Sequence, residues 1–107
     1  MSQRLTQLQA LLAESPGDAF ILFAIAKEYE KLGQVEKAVE QFEALRRSNP
    51  EYVGLYYHLG KLYEQYDAIE KALSVYKAGM EVARSQKDHH ALGELNAARL
   101  NFEDDDI

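Results

Sequence analysis

Aromatic and lysine side chains recur together at helical spacing in two parts of this 107-residue chain. The first group is Phe20, Phe23, Lys27 and Lys31, and the second is Tyr57, His58 and Lys61. Aromatic anchors beside ammonium groups suit a partner that offers apolar side chains and carboxylates. These residues therefore predict a surface that binds a protein or peptide. The alternatives are that the phenylalanines pack beneath a neighbouring helix or loop, and that the lysines only solvate a helix.

The residues that catalysis or metal binding would require are missing or badly spaced. The chain has no cysteine, no nucleophile beside a base and no glycine-rich phosphate loop. His89 and His90 are adjacent and would point about 100° apart on a helix, and no His-x3-His pair is present. We therefore predict no enzyme activity, no catalytic residue, no cofactor and no metal site.

Composition narrows the class of partner. The net charge of −6 opposes non-specific binding to nucleic acid. No apolar run approaches the roughly 20 residues that a membrane span needs, and the apolar share of 47% is normal for a globular core. These features predict a soluble cytoplasmic protein that binds neither nucleic acid nor membrane.

Six helices are expected to position these side chains. Their predicted spans are 2–14, 19–32, 35–48, 52–66, 69–85 and 89–102. The apolar stripe of the last helix is expected to consist of Leu92, Leu95, Ala98 and Phe102. Ser2, Asp18 and Asp88 are the expected N-caps, while Gly33 and Asp67 lie where each of two helix pairs must turn. Since two to four residues join most neighbouring helices, the neighbours should be antiparallel.

A constant offset of 34 residues relates the second and third helices to the fourth and fifth. The pairs at this offset include Pro16 with Pro50, Tyr29 with Tyr63, Ala38 with Ala72, and Phe42 with Tyr76. Self-similarity at this period indicates one helix pair built twice, as in a helical solenoid.

The repeated residues resemble the tetratricopeptide repeat family, whose first helix carries Trp-x2-Leu-Gly-x2-Tyr and whose second carries Ala-x3-Phe, then Pro. The second unit reads Tyr56-x2-Leu59-Gly60-x2-Tyr63 and Ala72-x3-Tyr76; the first reads Leu22-x2-Ile25-Ala26-x2-Tyr29, Ala38-x3-Phe42 and Pro50. The resemblance implies a small stand-alone, all-α protein: a short right-handed α-solenoid of antiparallel helix pairs.

We expect one domain over 1–107, with a flanking helix at 2–15, repeats at 16–49 and 50–86, a capping helix at 87–103 and an acidic tail at 104–107. Like charges at the last helix's negative end should fray that tail.

The resemblance also implies where binding occurs. In this family the first helix of each pair lines a concave groove, which here would bind a peptide or helix as an adaptor does. Helical geometry places Ile25 on the core face and the Phe23 and Lys27 side chains opposite. The Lys/Asn/Arg clamp by which some members hold chaperone tails is expected to be absent, because only Lys27 of its positions could serve. The alternative is a structural protein that self-associates into homo-oligomers through exposed helix edges, for which Leu55 and Leu100 are candidate patches.

Overall fold

A computed structural model describes residues 2–103, and every regular element within that range is an α-helix. The six helices are α1 (Gln3–Glu14), α2 (Ala19–Lys31), α3 (Val35–Ser48), α4 (Gly54–Gln65), α5 (Ile69–Gln86) and α6 (His89–Leu100). Each boundary lies within two residues of the predicted one. The all-α prediction is therefore confirmed, while the expected fraying of the tail at 104–107 falls outside the described residues.

Three of the helices begin where a side chain satisfies a backbone donor that the helix itself leaves open. The oxygen of each cap accepts the N–H three residues on, at 3.0 Å for Ser2, 3.1 Å for Asp18 and 3.0 Å for Asp88. Such caps are worth about 1 kcal/mol each. The three predicted N-caps are confirmed.

The turn after the first helix of each pair has the same form in both pairs. Gly33 has φ +78° and Asp67 has φ +61°, and the next residue's N–H donates to the carbonyl of Tyr29 (3.0 Å) or Tyr63 (2.9 Å). Both left-handed residues were expected. Lys87, with φ +59° at the end of α5, was not, because no side-chain preference marks lysine for this conformation.

The chain divides into two compact units, one ending at Tyr52 and the other beginning at Val53. The first contains α1, α2 and α3. Ser2, at the start of α1, donates to Glu28, near the end of α2, at 2.8 Å; the two helices are therefore antiparallel. The buried apolar residues of this unit are Leu8, Ile25, Ala26, Ala38, Phe42 and Leu45.

In the second unit, α4 and α5 approach closely because each carries a glycine opposite a tyrosine of the other. A β-carbon on Gly60 would lie well inside van der Waals contact of the buried Tyr76 ring, and one on Gly79 would lie 2.5 Å from Cβ of Tyr56. The helix α6 packs on α5 and also reaches α4. The buried apolar residues here are Leu55, Tyr56, Leu59, Leu62, Ala72, Val75, Tyr76, Met80, Ala83, Leu95 and Ala98.

Two expectations about exposure are wrong. Leu55 is fully buried because it continues the buried stripe of Leu59 and Leu62 along α4; it is not an uncovered patch. Phe102, predicted to extend the apolar stripe of α6, is 44% exposed because the helix ends at Leu100. Leu100 itself is exposed, as expected.

Glu103, just beyond α6, bridges two helices. Its carboxylate lies 3.0 Å from Nζ of Lys77 on α5 and 3.1 Å from Nη1 of Arg99 on α6. Hydrogen bonds from Lys77 and then Arg99 hold the pKa of this carboxyl below its ordinary value.

We predict that Gly60→Ala destabilises the protein by about 1–3 kcal/mol, because the added methyl group overpacks the contact with Tyr76. Gly93→Ala on α6 is the matched control. Its methyl group meets nothing within 4 Å, so the gain in helix propensity should stabilise by roughly 0.5–1 kcal/mol. Urea unfolding of both variants provides the measurement. Equal stabilities would show that α4 and α5 do not approach as described.

We predict that Glu103→Gln lowers the melting temperature slightly at neutral pH and not in acid. Because the folded-state pKa is lowered, the carboxylate's contribution is complete above the ordinary value of 4.5 and is lost as pH falls through the lowered value. Thermal melts of both proteins across this range test the prediction. Glu81→Gln, which removes an ion pair within α5 alone, is the control. A difference that persists unchanged in acid would contradict the assignment.

Candidate functional site

The two phenylalanines of α2 are not equivalent. Phe20 is 69% exposed, whereas Phe23 is half-buried. The Phe23 ring packs edge-on against Phe42, with centroids 5.9 Å apart, and lies 5.1 Å from the ring of Tyr52. Packing against a neighbouring helix and loop, considered above as an alternative for both residues, therefore applies to Phe23 and not to Phe20.

Tyr52 also belongs to this aromatic group, although it was not among the predicted binding residues. It lies in the turn after α3, where its N–H donates to the Asn49 carbonyl at 3.0 Å. Burial, and then the charge of Asp18, raise the pKa of its hydroxyl. The predicted fourth helix begins at residue 52, whereas α4 begins at Gly54. Helical periodicity therefore could not place a ring that the preceding turn supplies.

The four predicted residues of α2 come together in one cavity of about 290 Å³ between α1 and α2. We call it the α1/α2 cleft, and its lining residues are Arg4, Phe20, Phe23, Ala24, Lys27, Glu28 and Lys31. Arg4 and Glu28 were missed. The sequence marked α1 only by its leucine stripe, so nothing indicated that a cation at its start would reach α2.

Glu28 is the buried charged residue of this unit, and its partners come from α1. Its carboxylate accepts the Ser2 hydroxyl at 2.8 Å and lies 3.8 Å from Nε of Arg4. A buried carboxylate without such partners would be strongly destabilising. Glu28 therefore holds the start of α1 against the end of α2, and its negative charge is matched by Arg4.

The second group lies on α4. Tyr57, His58 and Lys61 are all half-buried, and the Tyr57 and His58 rings are perpendicular with centroids 6.0 Å apart. Nζ of Lys61 lies 5.6 Å from the centroid of the Tyr57 ring. The corresponding pair on α2 has the same geometry, because Nζ of Lys27 lies 5.5 Å from the centroid of Phe23. An aromatic–lysine pair is thus built twice at the repeat offset.

The two lysines of these pairs differ in their remaining partners. Lys61 lies 3.6 Å from the Glu64 carboxylate, which also accepts the Tyr76 hydroxyl. Burial raises the Tyr76 pKa far above its usual range, and the hydrogen bond to Glu64 adds to the shift. Tyr76 therefore stays protonated and donates. The first repeat has Phe42 in its place, and within residues 2–103 no carboxylate pairs with Lys27.

Neither a metal centre nor a membrane span is evident in the part of the chain that the structure describes. Within residues 2–103, no three histidine, cysteine, aspartate or glutamate side chains are arranged to hold a metal ion. None of the described helices is long and apolar enough to cross a bilayer.

Comparison with known proteins gives consistent matches. The tetratricopeptide repeat profile matches residues 21–52 and 53–86. A crystal structure of a tetratricopeptide repeat domain protein from Salinibacter ruber is 43% identical, covering 78% of this chain and 93% of that one, with a TM-score of 0.76. A solution structure of such a protein from the same organism is 40% identical, covering 86% and 96%, with a TM-score of 0.77.

A solution structure of a protein from Bordetella parapertussis has a TM-score of 0.81 and covers 94% of this chain and 88% of that one. At 23% identity it supports the fold alone. No curated protein matches the chain.

Proposed function

Because the chain belongs to the tetratricopeptide repeat family, we propose that it is a non-enzymatic adaptor that binds a peptide or helix of another protein. The binding residues are the α2 face (Phe20, Phe23, Lys27 and Lys31) and the α4 face (Tyr57, His58 and Lys61). The observation that carries this proposal is the aromatic–lysine pair, which recurs on the first helix of both repeats with nearly equal distances.

The geometry of these pairs suits a ligand that is both apolar and acidic. An ammonium group over an aromatic ring gains roughly 0.5–1 kcal/mol at an exposed site, so Lys27 and Lys61 are held near Phe23 and Tyr57. A ligand carboxylate then meets an ammonium whose position is already restricted, and less side-chain entropy is lost on binding. Aromatic rings beside it supply the apolar contact area that commonly dominates binding.

Phe20 adds the most accessible apolar surface on either face. With 69% of its surface exposed, it contributes little to the core and would gain by being covered. An exposed phenylalanine alone would be unremarkable in a soluble protein. Here it lines the same cavity as Lys27 and Lys31, which places an apolar contact next to two cations.

We predict that substitutions on each face weaken binding of the peptides selected for that face without unfolding the protein. Peptides would be selected from a displayed random library on the wild-type protein, and their affinities measured by calorimetry. Phe20→Ala should weaken peptides that bind the α2 face, and Tyr57→Ala those that bind the α4 face, by roughly tenfold or more. Phe20→Ala should leave the melting temperature unchanged because the ring is exposed.

The two lysines should respond differently in the same assay. Lys27→Glu should weaken binding more than Lys61→Glu, since Glu64 already neutralises Lys61. Both effects should shrink as salt is raised. Lys71→Glu on α5, an exposed lysine outside both faces, supplies the same charge change as a control. The proposal fails if affinity survives Phe20→Ala, Tyr57→Ala and Lys27→Glu and is lost only in the control.

A further inference from the structure

The α1/α2 cleft holds cations that its own surroundings do not neutralise. Arg4 is matched by Glu28, but within residues 2–103 no carboxylate pairs with Lys27 or Lys31. Lys31 also lies in the last turn of α2, where a positive charge favours the helix, but that role does not require Phe20 or Lys27 nearby. The cleft thus has an excess of positive charge on a chain whose net charge is −6.

Three cations of the second unit differ, because each of them already contacts a carboxylate of that unit. Lys77 and Arg99 both contact Glu103, and Arg84 lies 2.8 Å from Glu81. These three cations line cavities between α5 and α6, and each already lies beside a carboxylate, with Lys77 and Arg99 sharing that of Glu103. An acidic ligand would have to displace those carboxylates there, whereas Lys27 and Lys31 carry no such competitor.

The α1/α2 cleft also suits a ligand that carries an apolar group. Phe20 lines the cleft and is exposed to solvent. Phe23 and Ala24 line the cleft next to the two lysines. A simple anion would leave these apolar side chains exposed to water. The matching ligand is a short segment with carboxylates next to an aliphatic or aromatic side chain.

The chain contains such a segment. Residues 104–107 read Asp-Asp-Asp-Ile, which is three consecutive carboxylates followed by an aliphatic side chain. We propose that this acidic segment of one copy binds in the α1/α2 cleft of a second copy, so that the chain self-associates through unlike surfaces. The proposal rests on the proposed function, because it names one ligand for the α2 face. Its aspartates pair with Lys27 and Lys31, and Ile107 covers Phe20.

Such a contact has two physical consequences. It joins two different surfaces, so it is heterologous and gives rings or open chains of copies, according to the rotation between neighbours. It depends on exposed charges, so it is weak and is suppressed by salt. At roughly 1 M ionic strength the Debye length falls to about 3 Å and screens most of the attraction.

A charge exchange between the two surfaces tests the proposal. The cleft variant is Lys27→Glu with Lys31→Glu, and the segment variant is Asp104→Lys with Asp105→Lys and Asp106→Lys. Molar mass is measured by sedimentation over a range of protein concentrations, at low and high salt. The wild-type mass should rise with concentration at low salt and remain monomeric at high salt.

Each variant alone should associate roughly tenfold or more weakly, because it sets like charges against each other. Their equimolar mixture should associate again, since the acidic cleft meets the basic segment and the original pair is also present. Lys71→Glu with Lys87→Glu changes the charge equally outside the cleft and should associate as the wild type does. Circular dichroism checks that every variant is folded.

Three results would overturn the inference. The wild type could be monomeric at every concentration, either variant alone could associate like the wild type, or the mixture could stay monomeric. A monomeric wild type whose melting temperature falls with either variant would point to binding of the segment within one molecule, and this also excludes a second copy as the occupant. If library peptides still bind the wild type while self-association is absent, only this inference fails and the proposed function stands.

Discussion

The close approach of the two helices in each repeat is the constraint on which the remaining structure depends. In the second repeat it is made possible by Gly60 and Gly79, which lie against the rings of Tyr76 and Tyr56. The first repeat has Ala26 at the position of Gly60, and that alanine is completely buried. Small residues let the backbones come near one another, and a large ring opposite fills the space that they leave. Each helix pair is consequently fixed in both separation and register.

That constraint decides which side of α2 and of α4 remains for binding. Once Ile25 and Ala26, or Leu59 and Gly60, face the partner helix, residues on the other side of the helix point away from the pair. The Tyr57–Lys61 pair and Lys27 lie on this side, while the Phe23 ring lies at its edge, since it also packs against Phe42 of α3. A ligand surface thus follows from packing, because a helix that buries one stripe must display the opposite one.

The two repeats share this geometry but differ in charge. At one position the two repeats differ by a single hydroxyl group. The Tyr76 hydroxyl donates to Glu64, whereas the first repeat has Phe42 at the equivalent position. Glu64 is also the partner of Lys61. In the second repeat, Glu64 therefore accepts from Tyr76 and also pairs with Lys61. The first keeps Lys27 and Lys31 without carboxylates among the described residues, and it adds Arg4 from α1. The two faces are therefore similar in geometry, and the first is the more cationic.

Features that depend on near neighbours along the chain could be predicted from the residues alone. Helix spans follow from apolar periodicity, and the caps at Ser2, Asp18 and Asp88 from the reach of a side chain to an N–H three residues away. The left-handed turn at Gly33 follows from the absence of a β-carbon. The 34-residue repeat then indicated the helix pairs, since equal patterns pack in equal ways.

How much of each side chain is covered, and by which residues, depends on the packing of the helices and could not be predicted from the pattern. Phe20 and Phe23 are three residues apart on one helix, yet Tyr52 and Phe42 cover only Phe23. Glu28 is buried because Ser2 and Arg4 come from another helix to satisfy it. Lys27 and Lys61 occupy equivalent repeat positions, but among the described residues only Lys61 lies near a carboxylate, that of Glu64. Periodicity fixes a side chain's direction about its own helix axis, but burial and pairing depend on residues distant in sequence, and these meet only when the helices pack.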